Sequence, residues 1–173
     1  KAGVHAFDFD GNELWSAETG PQSSGKRWGS ASSPILYRDL LIVPAGDEAR
    51  EIIDFNKTTG EEVWRFESAT TEETYGTPVI VNVNDSRTDL VFAGATRWSG
   101  LDPATGEEIW FANYNLPGNM SNTTFVSGDI LTVSGGFPRT ARVAVKTGGT
   151  GDITDQILYD TQKPTTYMTM PVE

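Results

Sequence analysis

The chain has 173 residues, of which 24 are acidic and 13 are basic, so its formal net charge is −11. This charge argues against nucleic-acid binding, which needs Lys and Arg to neutralise phosphates, and the absence of cysteine excludes disulfide scaffolds, thiolate zinc sites and cysteine nucleophiles. No apolar run approaches the roughly 20 residues that span a membrane. The 18 glycines and nine prolines, without sustained helical periodicity, predict an all-β fold rich in tight turns.

The first predicted element is a β-hairpin whose second strand carries a tryptophan. Its strands flank the pair Asp10-Gly11, which favours a tight hairpin turn, and the second strand contains Trp15. The run over residues 8–12 also resembles the start of a calcium-binding loop. Thr19 stands where such a loop needs a bidentate Glu. We therefore interpret the run as a turn and assign no metal ligand to it.

The single histidine, His5, lies in the first strand of this hairpin. Without a second His, a Cys or an evident carboxylate partner, it cannot complete a zinc site or a Ser-His-Asp system. We expect it to pack within the fold or to face solvent. No catalytic residue is assigned in this chain.

The hairpin pattern recurs twice further along the chain. Two copies of Asp/Asn-x-x-Thr-Gly-x-x-x-Trp end at Trp64 and Trp110, so that the three tryptophans, including Trp15, lie 49 and 46 residues apart. The Gly of each Thr-Gly pair supplies the positive φ that a tight hairpin turn requires. A large flat side chain at a fixed place on an outer strand suits an interface between repeats.

A second marker runs out of phase with the first and has a similar period. Its copies are spaced by 44, 46 and 47 residues and read Ser33-Pro34, Thr77-Pro78, Thr123-Thr124 and Met170-Pro171. The two markers predict repeat boundaries near residues 33, 77, 123 and 170. Within one period the pattern predicts four short strands joined by turns, which is typical of a four-stranded antiparallel blade of a β-propeller.

At these residues the chain resembles the pyrroloquinoline quinone (PQQ)-like repeat family, the quinoprotein alcohol dehydrogenase-like propellers. The blade motif of that family reads approximately Ala-x-Asp-x-x-Thr-Gly-x-x-x-Trp, and its Trp docks between adjacent blades. The resemblance therefore implies structural docking roles for Trp15, Trp64 and Trp110. The chain departs from the motif at Asp54, which takes the Ala position, and at Tyr159, which takes the last Trp position.

The last repeat also carries a glycine-rich insertion at residues 148–154. Its Gly-Gly-x-Gly-Asp-Ile-Thr phrase resembles large secreted propeller proteins of planctomycete-like bacteria. Rings of seven or eight blades are usual in the family, and residues 1–173 account for about four. We therefore expect a partial PQQ-like propeller whose open ends need the remaining blades or a second copy to cover them.

The candidate binding face lies in the loops that link the last strand of one blade to the first strand of the next. In propellers these loops gather around one mouth of the central channel. Aromatic and polar side chains there could stack a sugar ring or hold a peptide. The residues that we expect to contact a ligand are Arg27, Trp28, Tyr75, Tyr114 and Asn119.

The resemblance leaves three functions open. The first is a non-catalytic propeller that binds or scaffolds a protein, a glycan or a small ligand, a use known in this repeat family. The second is part of a PQQ- and calcium-dependent dehydrogenase of alcohols or sugars, whose usual adjacent cysteines are missing here. The third is a sensor module attached to another domain.

We expect the first of these functions. It implies no cofactor in this part of the protein, with PQQ and calcium required only under the dehydrogenase alternative. It also implies no nucleic-acid partner, no transmembrane segment, and a periplasmic or extracellular location, which is inferred from the family resemblance.

Overall fold

The structure is a computed structural model, and it describes residues 2–21, 31–68, 70, 74–115, 119, 121–137 and 140–161. The predicted boundary near residue 170, together with Arg27 and Trp28, lies outside these described residues. Among the described residues, no helix is long and apolar enough to cross a membrane.

Alternation of apolar and polar residues, broken by turns, gives four consecutive sheets. Blade 1 consists of strands β1 (Ala2–Phe7) and β2 (Glu13–Gly20). Blade 2 consists of β3 (Ile35–Tyr37), β4 (Leu40–Ala45), β5 (Glu51–Asn56) and β6 (Glu62–Glu67). Blade 3 consists of β7 (Val79–Asn84), β8 (Arg87–Ala93), β9 (Arg97–Leu101) and β10 (Glu108–Asn113). Blade 4 consists of β11 (Phe125–Ser127), β12 (Ile130–Gly135), β13 (Ala141–Lys146) and β15 (Ile157–Thr161). The predicted all-β fold of antiparallel, four-stranded propeller blades is confirmed.

The hydrophobic core lies between the blades. Blades 1 and 2 enclose a cluster around Phe55, and blades 2 and 3 enclose one around Trp64 and Leu101. The largest cluster joins blades 3 and 4 and contains Trp98 and Trp110, neither of which is exposed to solvent. Each blade therefore buries its apolar faces only by stacking on its neighbours, as in other repeat proteins.

The glycine-rich insertion adds a short strand to the neighbouring blade. Strand β14 (Gly151–Asp152) precedes a 3-10 turn (Thr154–Gln156) and comes from the chain of blade 4, yet it pairs in parallel with β10 of blade 3. The amide of Ile153 extends this pairing by donating to the Phe111 carbonyl over 2.8 Å. Blade 3 thus has five strands in the order β14-β10-β9-β8-β7, and its outer edge is covered along part of its length.

Successive strands of a blade run in opposite directions, so the connections alternate between two ends of the sheets. One end carries the hairpin turns, where the Lys57 amide donates to the Asp39 carbonyl over 2.9 Å. The other end, which we call the loop face, carries the links between blades and the loops between the second and third strands. Its described residues are 21, 31–34, 46–50, 68, 70, 74–78, 94–96, 114–115, 119, 121–124, 136–137 and 140.

Candidate functional site

The tryptophans of β2 and β6 each contact the hairpin turn of the following blade. The indole N–H of Trp15 donates to the Lys57 carbonyl over 3.0 Å, and that of Trp64 donates to the Pro103 carbonyl over 3.2 Å. A Cβ atom at Gly106 would lie 2.6 Å from the Trp64 ring, and the φ of this glycine is +74°. The Thr-Gly turn thus needs glycine twice, for its backbone conformation and for the close approach of the indole.

In three of the four blades the register places a small residue directly across the sheet from the docking aromatic side chain. Ala6 lies across from Trp15, Gly100 from Trp110, and Ala144 from Tyr159. In blade 2, Asp54 lies across from Trp64 instead. This carboxylate is fully buried, and neither of its oxygens has a hydrogen-bond partner. Burial raises the pKa of Asp54 to about 7. The backbone N–H of Phe55 lowers this pKa, but by less than burial raises it.

Trp110 makes a different contact from the other two tryptophans. Its indole N–H donates over 2.7 Å to Asp89, a fully buried carboxylate of its own blade. Arg87 holds the same carboxylate with two hydrogen bonds of 2.8 and 2.9 Å, and it also donates to the Gly149 carbonyl of the insertion over 2.9 Å. The ring of Trp110 packs in the cluster between blades 3 and 4, whereas its indole N–H is linked to blade 4 only through this ion pair.

The second sequence marker forms a chain of hydrogen bonds between blades. The Ser33 amide donates to the Thr77 hydroxyl over 3.0 Å, and the Thr77 amide donates to the Thr123 hydroxyl over 3.1 Å. These bonds join equivalent positions just before the first strands of successive blades, so the spacings of 44 and 46 residues are also spacings of physical contacts. The hydroxyl groups tie the blades together at the loop face.

The loops of the loop face are also bonded to each other through their backbones. The Ser68 amide donates to the Arg50 carbonyl over 3.1 Å, and the Ala95 amide donates to the Thr70 carbonyl over 3.1 Å. Arg50 is exposed and has a φ of +61°. A left-handed backbone at a non-glycine residue is uncommon and often accompanies a functional surface.

Two of the expected ligand contacts lie inside the protein. Tyr114 is only 8% exposed, packs edge-on against Trp98, and donates its hydroxyl to the Gly94 carbonyl. Burial also raises the pKa of the Tyr114 phenol well above its usual value. Asn119 is buried as well. Both side chains are thus largely buried near the loop face, and their contact with a ligand stays a prediction.

The other expected contacts are placed as follows. Tyr75 lies on the loop face and is half-buried, so its contact with a ligand stays a prediction. Arg27 and Trp28 lie outside the described residues. The turn beginning at Asp8 is closed by its own carboxylate, which accepts hydrogen bonds from the amides of Asp10 and Asn12.

His5 has a carboxylate neighbour that the sequence did not reveal. Its Nδ1 lies 3.0 Å from Glu13 Oε2, across the first hairpin, and this hydrogen bond lowers the pKa of Glu13. Both side chains are about half exposed, so the pair is an ordinary surface contact. Across the described parts of the chain, no group of three or more His, Cys, Asp and Glu side chains comes together to hold a metal ion.

Four stacked, mainly antiparallel sheets, three of which carry a tryptophan on their last antiparallel strand, define the chain as part of a β-propeller of the quinoprotein type. The model of one family, described as the outer membrane protein assembly factor BamB, matches residues 1–169. The chain therefore belongs to this family. No curated protein matches the chain at a significant level.

Solved structures share the fold at low sequence identity. BamB from Moraxella catarrhalis is 17% identical with a TM-score of 0.66, and the alignment covers 92% of this chain and 46% of that protein. The quinohemoprotein alcohol dehydrogenase ADHIIG from Pseudomonas putida HK5 is 14% identical with a TM-score of 0.61, over 92% of this chain and 31% of that protein. The chain thus spans less than half the length of either structure.

Proposed function

We propose that this chain contributes blades to a non-catalytic propeller that scaffolds a protein partner through its loop face, in the periplasm or outside the cell. The observation that carries the proposal is the match over residues 1–169 to the family of an outer membrane protein assembly factor. The formal charge of −11 favours a partner whose contact surface is basic, because complementary charge speeds and orients association.

The construction of the loop face suits a protein partner. Its described loops are held by hydrogen bonds between their backbones and by the hydroxyl chain through Thr77, and a fixed surface loses little entropy on binding. The described part of the face presents the exposed side chains of Arg50 and Phe137, whereas the Tyr114 ring is buried. A cation and an apolar ring on one surface are both common anchors in protein interfaces.

The dehydrogenase alternative has support only from the fold, since identity to the alcohol dehydrogenase is 14%. Such an enzyme holds its quinone beside a calcium ion bound by carboxylate and amide oxygens. The described residues bring no such ligand set together. These residues therefore do not fit the cofactor, and we derive no reaction step from it.

The experiment that tests the proposal uses single cysteines in a chain that has none. Arg50→Cys places a thiol on the loop face, and Arg38→Cys places one in a hairpin turn at the opposite end. Both positions are exposed and have φ values of +61° and +55°, so the two substitutions carry similar backbone costs. Each variant of the intact protein is labelled with a photoactivatable maleimide and irradiated with extract from the cell compartment that contains it.

We expect one discrete protein adduct, identified by mass spectrometry, from position 50 and none from position 38. Equal adducts from both positions, or none from position 50, would overturn the proposal. A second arm adds PQQ and calcium to the intact protein. Dye-linked oxidation of an alcohol in that arm would overturn the non-catalytic assignment and support the dehydrogenase.

A further inference from the structure

Asp54 occupies a position that the other blades fill with a small, uncharged residue. The equivalent residues across from the docking aromatic side chain are Ala6, Gly100 and Ala144. Nothing in the hairpin geometry therefore requires a carboxylate there. A fully buried acid without a hydrogen-bond partner costs free energy that an alanine would not.

The cross-strand neighbours of Asp54 are apolar. Its neighbours across the sheet are Ile42 on β4 and Trp64 on β6, and both belong to the cluster between blades 2 and 3. Blade 3 contributes Leu101 to the same cluster. The hydroxyl of Ser99, which alternation places on the same face as Leu101, is also buried without a hydrogen-bond partner. Arg97, on the same face of β9, adds a buried Nε without a partner, so three side chains of this interface carry unsatisfied polar atoms.

Charged groups at the rim of this interface do not stabilise an ionised Asp54. The effects on its pKa are burial and the Phe55 backbone, with no contribution from another charge. The titratable side chains that the packed elements direct toward this interface are Tyr37 on β3, Arg97 on β9, Glu108 on β10, and Asp102 and Glu107 in the turn between β9 and β10. Arg97 and Glu108 pair with each other. Glu62 lies across from Phe55, so it faces blade 1, where it pairs with Arg65.

A narrow crevice opens from the same interface onto the loop face. It is lined by Ile52 and Phe92, which also belong to the apolar cluster, and by Pro44, Gly76 and Pro78 among others. Ile52 precedes Asp54 by two residues on β5, so both side chains point toward blade 3. Separation of the two blades would admit water to Asp54 and Ser99 and would widen this crevice.

We propose that Asp54 makes the junction between blades 2 and 3 proton-dependent, with the protonated acid keeping the junction closed and loss of the proton opening the crevice at the loop face. The proposal does not depend on which partner the loop face binds. It gives the surface a dependence on external pH that follows from a single residue.

The direction of the effect follows from linkage. In the closed junction the pKa of Asp54 is about 7, whereas in the open, hydrated junction it returns toward the ordinary aspartate value of 3.8. The closed form therefore binds the extra proton, and its advantage is lost as pH rises between these values. The equilibrium constant for opening should rise about tenfold per pH unit in this window, which is about a thousandfold in total, and it should level off at higher pH.

The test is amide hydrogen exchange of the intact protein between about pH 5 and about pH 8, corrected for intrinsic exchange rates. We expect protection of β5 and β9 to fall with rising pH up to about 7 and then to level off. Asp54→Ala, which copies Ala6 and Ala144, should remove the pH dependence, and Asp54→Asn serves as a second variant should the first fail to fold. Asp102→Asn is the control, because Asn56 already fills the equivalent turn position in blade 2.

The control variant should keep the slope of the wild-type protein. Protection that is independent of pH in the wild type would overturn the proposal. So would an unchanged slope in both Asp54 variants, since another group would then be titrating.

Discussion

Arg87 offers the sharpest test of how blade 3 is joined to blade 4. Its guanidinium makes two hydrogen bonds to Asp89, one to the Gly149 carbonyl and a longer one of 3.5 Å to the Gly148 carbonyl, and Asp89 is fully buried. Arg87→Met removes the charge and all four bonds but keeps the apolar stem. Asp89 then stays buried with only the Trp110 indole as a donor. Removing one partner of a buried ion pair costs about 3–5 kcal/mol. We expect the free energy of unfolding to fall by about 3 kcal/mol, the lower end of this range, because one donor to Asp89 remains.

Two further variants separate the buried charge from general disruption. Asp89→Asn in the Arg87→Met background removes the unpaired charge and keeps an oxygen acceptor for Trp110, and it should recover about 2 kcal/mol. Arg65→Met is the matched control, because Arg65 also binds two carboxylates, Glu51 and Glu62, but its side chain is 44% exposed. Its loss should stay below about 1 kcal/mol.

The assay is equilibrium unfolding of the intact protein in urea, followed by tryptophan fluorescence and by circular dichroism so that a two-state transition can be checked. The double variant is compared with the two single variants in a thermodynamic cycle. The reasoning would be refuted by a loss below about 1 kcal/mol for Arg87→Met, or by failure of Asp89→Asn to recover stability in that background.

Two more predictions concern the contacts between blades. Thr77→Val and Thr123→Val each remove an acceptor for an amide of the preceding blade, so each should lower the free energy of unfolding by about 1 kcal/mol. The matched Thr→Ser variants keep the hydroxyl and should lose less than half of that free energy. Urea denaturation measures both losses. Gly106→Ala places a methyl group against the Trp64 ring at a φ of +74° and should lower the melting temperature clearly more than Gly128→Ala, whose φ is +57° and whose surroundings are open. Equal losses for the two alanine variants would show that contact with the indole is not what requires glycine.

The repeat period is readable from the sequence because marker residues make equivalent contacts between successive described blades. The spacing of Ser33, Thr77 and Thr123 is the spacing of hydrogen-bond partners. Residues with such a repeated role recur at a fixed interval, and an interval can be recognised without a structure. The all-β blade architecture followed from this period together with the turn chemistry of the Thr-Gly pairs.

The remaining features depend on which chain segments meet in space, and the sequence does not state this. Tyr114 follows a strand in a polar loop, which favours a place on the ligand-binding face, yet the Gly94 carbonyl and the Trp98 ring enclose its side chain. Asp54 was recognised as a departure from the motif. Its burial without a hydrogen-bond partner cannot be read from the sequence, because apolar residues of blade 3 complete the cluster in which it lies.

The glycine-rich insertion shows why the fold survives where the repeat motif fails. The hairpin turn that follows β13 has no Asp-x-x-Thr-Gly phrase, and the Trp110 indole makes no bond there comparable to the bonds of Trp15 and Trp64 with the next turn. Asp89 accepts that hydrogen bond within blade 3, and Arg87 carries the link to the insertion. Parallel pairing of β14 with β10 adds backbone bonds across the same junction. Because side-chain and backbone contacts together replace one lost docking contact, loss of the motif at this junction does not imply a weak junction.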